Sequence, residues 1–182
     1  MIPSKLIPLL SAVSFGWSQE PVNRHALMIQ DFQARVAEYA KLRQKAVAGL
    51  PRLKPTESPA TITRHEQELA RRIHEMRPAA KAGDIFNPEI AAEFHRLIAI
   101  AMQGHEATRV HQSLNHAEPV WLRVRVNDPY PTGVPLQSTP PTLILNLPML
   151  PKELDYRVVG RVLVLRDAEA NMIVDFILDA IP

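Results

Sequence analysis

The sequence predicts an α+β protein in which a helical half precedes a small antiparallel sheet. In the first half, apolar residues recur at spacings of three and four, as on one face of an amphipathic helix. In the last third, apolar residues alternate with polar ones, which is the period of a half-buried strand. Eight of the seventeen prolines fall between Pro119 and Pro151, so a stiff connector separates the two patterns.

These patterns divide the chain into three parts. Residues 1–18 have the layout of a secretory signal peptide, and residues 19–117 form the helical region. Residues 118–182 contain the proline-rich connector and an antiparallel sheet of three to four strands. Within the helical region we expect an N-terminal helical hairpin plus a third helix.

The first eighteen residues predict export. Lys5 precedes the apolar run Leu6–Phe15, and Gly16 and Ser18 are small residues suited to cleavage after Ser18, with cleavage after Gly16 as the alternative. The run is shorter than the ~20 residues of a membrane-spanning helix, and Pro8 disfavours a helix packed on the domain. No later stretch is apolar over the length that a membrane span needs. We therefore expect a periplasmic or secreted protein.

Each predicted helix begins at a residue that favours the N-cap position. Asn23 starts a helix that runs to about Leu50, Ser58 before a proline starts the second, and Asn87 before a proline starts the third. Arg43 interrupts the apolar stripe of the first helix. The three stripes consist of Ile29, Phe32, Val36, Tyr39, Ala46, Val47 and Leu50, of Ile62, Leu69, Ile73 and Met76, and of Ile90, Phe94, Leu97, Ile98 and Ala101.

The strand pattern follows residues 105–117, which form either a short further helix or a loop. Gly160 and Arg161 suit a tight hairpin turn, because glycine readily adopts positive φ. In the connector, residues 139–147 favour a short helix, with a strand as the alternative. Strands are predicted at Val120–Val126, Tyr156–Val159, Val162–Leu165 and Met172–Leu178.

On the last of these strands, the alternation assigns side chains to two faces. Asp175 and Asp179 are predicted on the outer face, about 13 Å apart by strand rise. That separation is too large for a shared acid–base site, so we interpret both as surface residues. The opposite face is predicted to carry Met172, Val174, Phe176 and Leu178.

Composition excludes several kinds of chemistry. The chain has no cysteine, which rules out disulfides, thiolate metal sites and cysteine nucleophiles. Its six glycines form no phosphate-binding loop, and a formal charge of +2 gives no case for nucleic-acid binding. Trp121, Arg123 and Arg125 lack a second aromatic platform, so we interpret them as a solvated strand face. No catalytic or cofactor-binding residue is predicted.

A histidine cluster is the strongest candidate for a metal site. His105, His111 and His116 are close in sequence, and imidazole suits nickel, copper or zinc. Separations of six and five residues place no two of them on one helical face, so a loop would have to gather them. The alternative is that they are polar surface residues. The other histidines are dispersed over the predicted helices: His25, His65, His74 and His95.

Four segments of the C-terminal part carry a resemblance to a known family. They are Leu147–Pro151, Tyr156–Arg161, Leu165–Asp167 and Asn171–Asp175. Residues 140–181 resemble the C-terminal part of uncharacterised secreted proteins of environmental bacteria, a family with no assigned activity. Residues 154–177 are also similar to the C-terminal hairpin of periplasmic nickel/cobalt-homeostasis proteins. Arg161 and Val162 depart from that second pattern, so no metal role is carried over.

The two halves of the chain carry opposite net charge. Residues 24–81 contain twelve Lys/Arg and six Asp/Glu, whereas residues 82–182 contain eight and twelve. A charge division of this kind has three interpretations: an ordinary solvated face, a balance between the two halves of the chain, or a hairpin that meets an anionic lipid layer or an acidic partner.

The sequence therefore favours a non-catalytic envelope protein that acts by protein–protein contact. The expected partner is an unknown envelope protein, no cofactor and no nucleic acid are expected, and the two helix stripes make a homodimer a further expectation. One alternative is nickel or copper sensing or buffering through the histidine cluster. The second alternative is a hydrolase that uses a serine such as Ser113 or a metal-bound water.

Overall fold

The structure, a computed structural model, describes residues 23–103, 108, 112, 124–131 and 141–182. The predicted α+β class is confirmed, because helices come first and a three-stranded antiparallel sheet follows. The elements are α1 (Arg24–Ala48), α2 (Pro59–Met76), α3 (Pro88–Ala101), α4 (Pro141–Leu145), β1 (Leu154–Val159), β2 (Val162–Asp167) and β3 (Met172–Ile177). The predicted signal peptide, residues 1–18, lies outside the described residues. No helix among those described is long and apolar enough to cross a membrane.

All three predicted N-caps are confirmed. The side chain of Asn23 accepts hydrogen bonds from two backbone N–H groups at the start of α1, and Ser58 and Asn87 do the same for the amides of Thr61 and Ile90. A proline lies in the first turn of α2 and of α3, and its ring fixes φ at a helical value. Proline has no N–H, but an N–H at this position would make no hydrogen bond within the helix. The helix starts are therefore set by local chemistry.

Helices α1 and α2 form an antiparallel hairpin whose stripes face the sheet and α3. Arg77, just after α2, lies over the ring of Tyr39 in the middle of α1. Phe32 and Phe94 pack edge to face with ring centroids 4.9 Å apart, and Phe86 contacts both rings. Because the centres of both stripes are buried inside the chain, a dimer would have to use other surfaces. The buried stripe residues of the hairpin are Phe32, Val36, Tyr39, Ala46, Leu69 and Ile73.

The sheet has the order β1-β2-β3 and contains a register shift between β2 and β3. Gly160 adopts φ +57° in the β1–β2 turn, as the sequence predicts. Leu165 pairs with Asp175 but Arg166 pairs with Ile173, so Val174 is the extra residue of a β-bulge. The bulge interrupts the alternation of β3 and sends two consecutive side chains to the helix-facing side.

This bulge makes part of the predicted strand face wrong. Met172 and Val174 lie in the main core as expected, but Phe176 packs with Ile173 on the opposite side of the sheet. Leu178 is 60% exposed and lies beyond the end of β3. A simple period of two cannot anticipate these positions, because one inserted residue reverses the face of everything after it.

The second face of the sheet is covered by residues 124–131. Tyr130 is buried there against Val159, Val164 and Ile173. Asn127 N donates to Ile173 O at 2.9 Å, and Tyr130 N donates to Asn171 O at 2.7 Å, so this segment also runs along the outer edge of β3. The structure therefore adds a short bridged segment to the three strands.

The predicted strand Val120–Val126 is wrong where it can be compared. Residues 120–123 lie outside the described residues, and residues 124–126 are irregular or in a turn. Asn127 adopts φ +67°, which turns the chain before it can pair as a continuous strand. Pairing comes instead from the residues that follow the predicted strand, with an isolated bridge between Pro129 and Met172.

Helix α4 confirms the short helix predicted in the connector. Leu143 and Leu147 are buried against the core, while Leu145 is exposed. The chain then extends to Pro151 and enters β1, so α4 lies beside the edge of the sheet.

Candidate functional site

A buried ionic network joins the middle of α1 to the β2–β3 turn. Asp167, at the end of β2, is fully buried. Its Oδ2 accepts hydrogen bonds from Tyr39 Oη at 2.9 Å and from Arg43 Nε at 2.8 Å. Its Oδ1 accepts from the backbone N–H groups of Glu169 and Ala170 at 3.1 and 3.0 Å. Each carboxylate oxygen therefore has two donors, and the group is fully used in holding the fold.

Glu169 extends this network to α2. Arg43 Nη2 donates to Glu169 Oε2, and His65 Nε2 lies 3.2 Å from Glu169 Oε1. Burial lowers the pKa of Arg43, but Asp167 and Glu169 raise it by more, so the guanidinium stays charged. Burial, followed by the Asp167 carboxylate, raises the pKa of Tyr39 well above its usual value, which keeps its phenol a donor. The network thus fixes α1, α2 and the sheet together.

Asp175 corrects the prediction that it is a surface residue. It is fully buried, because the bulge at Val174 turns it toward the helices. Its Oδ1 accepts from the backbone N–H of Gly83 at 3.0 Å, and its Oδ2 accepts from those of Ile85 and Phe86 at 2.8 and 2.9 Å. The carboxylate therefore holds the α2–α3 connection against β3. By contrast, Asp179 is 78% exposed at its side chain, as expected.

The described histidines have ordinary partners or face solvent. His25 Nδ1 lies 2.6 Å from Glu93 Oε2, and His65 contacts Glu169. His74 and His95 are exposed. Among the residues that the structure describes, no group of three or more histidine or carboxylate side chains could hold a metal ion. The candidate ligands His105, His111 and His116, like Ser113, lie outside the described residues, so the metal site stays a prediction.

Glu93 is a third buried carboxylate, and it pairs with Arg96 and His25 at the edge of α3. Arg96 donates to its two oxygens at 2.9 and 2.5 Å, and His25 contacts it from α1. The hydrogen bonds from Arg96 lower the pKa of Glu93, burial opposes that shift, and the hydrogen bond from His25 adds to it. Because the folded-state pKa is the lower one, these contacts stabilise the fold above the unfolded-state value and are lost as the pH falls through the folded-state value.

Replacing Glu93 with glutamine is therefore expected to reduce the acid sensitivity of the fold. The wild-type chain should lose stability as the pH falls below about 4.5 and through the lower folded-state pKa of Glu93, and the variant should lose less over the same interval. Urea denaturation at a series of pH values measures this slope. Glu89→Gln, which removes an exposed carboxylate from the same helix, is the control and should resemble the wild type. Equal slopes for the Glu93 variant and the wild type would contradict the assignment.

A groove at the tip of the hairpin combines apolar walls with positive charge. It lies between the α1–α2 loop and the first turns of α2 and has a volume of about 540 Å³. We call it the basic groove. Its apolar walls are Leu50, Pro51, Leu53 and Pro55, and its cations are Arg52, Lys54 and Arg64.

The cations of the basic groove are not neutralised by the described part of the chain. No described carboxylate lies within 4.0 Å of Arg52, Lys54 or Arg64. The acid that lines the groove, Glu68, is already held by two other arginines, first Arg71 and then Arg72, whose hydrogen bonds lower its pKa to about 2. The groove therefore presents a surplus of positive charge among its apolar walls.

A larger apolar groove lies beside α4 and β1. Its volume is about 720 Å³, and Leu145 and Met149 on its rim are 82% and 89% exposed. The charged residues that line it, Asp155 and Arg157, pair with each other. This groove therefore lacks the surplus of charge that the basic groove has.

Comparison with known proteins gives no family for this chain. No protein-family model, no curated protein and no solved structure matches it. The two resemblances stated from the C-terminal segments stay predictions, and function must be argued from the geometry of this chain.

The sequence predicts the positive charge of the basic groove but not the groove itself. The excess of Lys and Arg in residues 24–81 predicts a basic hairpin, and the groove cations belong to that excess. The groove also needs the loop to fold back against α2, which no periodicity encodes. For the buried network, the signal was Arg43 within an apolar stripe, since an arginine there requires a carboxylate partner.

Proposed function

We propose that this chain is an exported envelope protein, periplasmic or secreted, that acts without catalysis by binding a partner protein through the basic groove. The partner contributes an acidic segment that also carries an apolar side chain. The observation that supports this proposal is the set of three cations, Arg52, Lys54 and Arg64, that have no ion pair within the described part of the chain and lie among apolar walls. Such a surface is complementary to alternating acidic and apolar residues.

The rest of the fold supports a docking role for this groove. Pro51 and Pro55 restrict φ in the loop, so less conformational entropy is lost when a partner binds. His65, on the wall of the groove, contacts Glu169 of the buried network, which ties the groove to the sheet. The α2 side of the groove is thus fixed by a contact behind it.

A protein segment suits the groove better than a membrane surface does. A lipid headgroup layer is broad and nearly flat, and polybasic segments that bind it present many cations on an open face. Here the cations surround a concavity of about 540 Å³, which admits a few side chains.

Binding of a defined acidic peptide tests this proposal. The probe is a short peptide that alternates glutamate and leucine, compared with its glutamine–leucine counterpart and with vesicles containing anionic phosphatidylglycerol. Fluorescence anisotropy should show that the full chain binds the acidic peptide in preference to the neutral one. The variant Arg52→Gln/Lys54→Gln/Arg64→Gln should bind at least about tenfold more weakly, and rising salt should weaken the wild-type complex.

The matched control removes the same charge elsewhere. Arg24→Gln/Lys41→Gln/Lys45→Gln replaces three exposed cations of α1 that have no described ion pair, and its peptide affinity should stay near the wild-type value. Equal losses of peptide affinity in both triple variants, or no binding of the acidic peptide by the wild type, would contradict the proposal that the basic groove binds the partner. If the chain bound vesicles through the groove cations but did not bind the peptide, the groove would be a membrane-binding site instead. Recovery of a chain beginning at Met1 from the cytosol would contradict export.

A further inference from the structure

A second concavity, distinct from the basic groove, lies between the middle of α1 and the α2–α3 connection. Its volume is about 400 Å³, within the size range of small-molecule sites. We call it the Arg77 cleft. The residues that line it are Asp31, Ala34, Arg35, Glu38, Tyr39, Leu42, Arg77, Asp84 and Ile85.

Arg77 supplies an unpaired positive charge to this cleft. Its guanidinium lies 5.3 Å from the centroid of the Tyr39 ring and makes one long hydrogen bond, 3.4 Å, to Val174 O. No carboxylate oxygen of the described residues lies within 4.0 Å of it. Burial lowers the pKa of Arg77, and Tyr39, followed by Asp84 and Asp175, offsets only part of that effect. A half-buried guanidinium with so few acceptors has donors available for a ligand.

Two carboxylates supply the opposite charge in the same cleft. Glu38 is exposed on α1 and has no partner among the described residues. Asp84 accepts from Lys81 N at 2.9 Å through Oδ2, which leaves Oδ1 available. The remaining acid, Asp31, is already bound by Arg35 and Asn87. The cleft therefore offers one available cation and two available anions.

We infer that the Arg77 cleft binds a small amino-acid zwitterion, with its carboxylate on Arg77 and its ammonium group between Glu38 and Asp84. A simple anion fits less well, because the two carboxylates repel it. A simple cation fits less well, because it leaves the guanidinium of Arg77 without an acceptor. A bidentate contact to a carboxylate uses the planar fork of arginine, and Tyr39 behind it holds the fork in place.

Calorimetric titration of the full chain with three probes tests this inference. L-alanine carries both charges, acetate carries the anion alone and methylammonium carries the cation alone. We expect L-alanine to bind at least about tenfold more tightly than either half. Acetate binding as tight as L-alanine binding, or no heat with L-alanine at millimolar concentration, would overturn the inference.

Two variants test the contacts to the carboxylate and to the ammonium group of the ligand separately. Glu38→Gln changes an exposed residue, so the chain should stay folded, bind L-alanine several-fold more weakly and bind acetate no worse than the wild type does. Arg77→Lys keeps a cation but removes the fork, so it should weaken both L-alanine and acetate. Glu89→Gln removes an exposed acid outside the cleft and is the control. Equal effects of Glu38→Gln and Glu89→Gln would reject the site and would leave the peptide result at the basic groove unaffected.

Discussion

Replacing Asp175 with alanine is expected to destabilise the folded chain by about 3–5 kcal/mol. The substitution removes the acceptor of three backbone N–H groups in the α2–α3 connection, those of Gly83, Ile85 and Phe86. Two of these hydrogen bonds are buried, so water cannot replace the lost acceptor without opening the core. The loss is a large fraction of the 5–15 kcal/mol that typically stabilises a folded domain.

Urea denaturation of the full chain measures this effect, and Asp179→Ala is its matched control. Asp179 belongs to the same C-terminal segment and is 78% exposed at its side chain. Within the described residues its ion-pair partner is the exposed Arg161, at 3.4 Å. Because exposed ion pairs contribute little, its midpoint should stay near that of the wild type. If the two variants had similar midpoints, the buried role assigned to Asp175 would be wrong.

Replacing Arg43 with methionine is expected to destabilise the chain by about 3–5 kcal/mol. Methionine retains much of the apolar stem but leaves the buried carboxylate of Asp167 without its guanidinium partner. Tyr39 and the turn amides still donate to Asp167, which limits the loss. The same substitution removes the link from Glu169 to α1, so packing between α1 and the β2–β3 turn should loosen.

Chemical denaturation measures the stability of the Arg43→Met variant, and hydrogen exchange measures the local opening of its β2–β3 turn. The midpoint should fall, and the amides of the β2–β3 turn should exchange faster. Arg71→Met is the control, because Arg71 also contacts two carboxylates, Glu68 and Glu75, but all of these contacts are exposed. Its midpoint should change little. Comparable losses in the two variants would show that burial of the Arg43 pair does not matter.

The parts of the fold that could be predicted from sequence are those with local causes. Asn23, Ser58 and Asn87 cap their helices through amides two or three residues away, and Gly160 makes its turn by its own φ. The short helix α4 likewise follows from the composition of the connector. In each case the deciding interaction lies within a few residues, so the sequence pattern contains it.

The parts that could not be predicted depend on contacts that are distant in sequence. Arg43 and Asp167 are separated by 124 residues, and the sequence around each of them does not indicate which residue is its partner. The burial of Asp175 depends on one inserted residue, Val174, which alternation treats as an ordinary strand position. The Arg77 cleft is also non-local, because α1 and the α2–α3 connection that bound it meet only in the folded chain. The basic groove lies within residues 50–68, but it depends on how the loop folds back against α2.

The segment that runs along the outer edge of β3 has a consequence for self-association. An unprotected edge strand offers a row of donors and acceptors on which further strands can add, and this is a common route to fibrils. Here Asn127 and Tyr130 already engage β3, and Pro129 between them has no N–H to donate. A further strand on this side would meet an irregular edge with few backbone donors. This edge therefore protects the sheet against repeated strand addition on the β3 side.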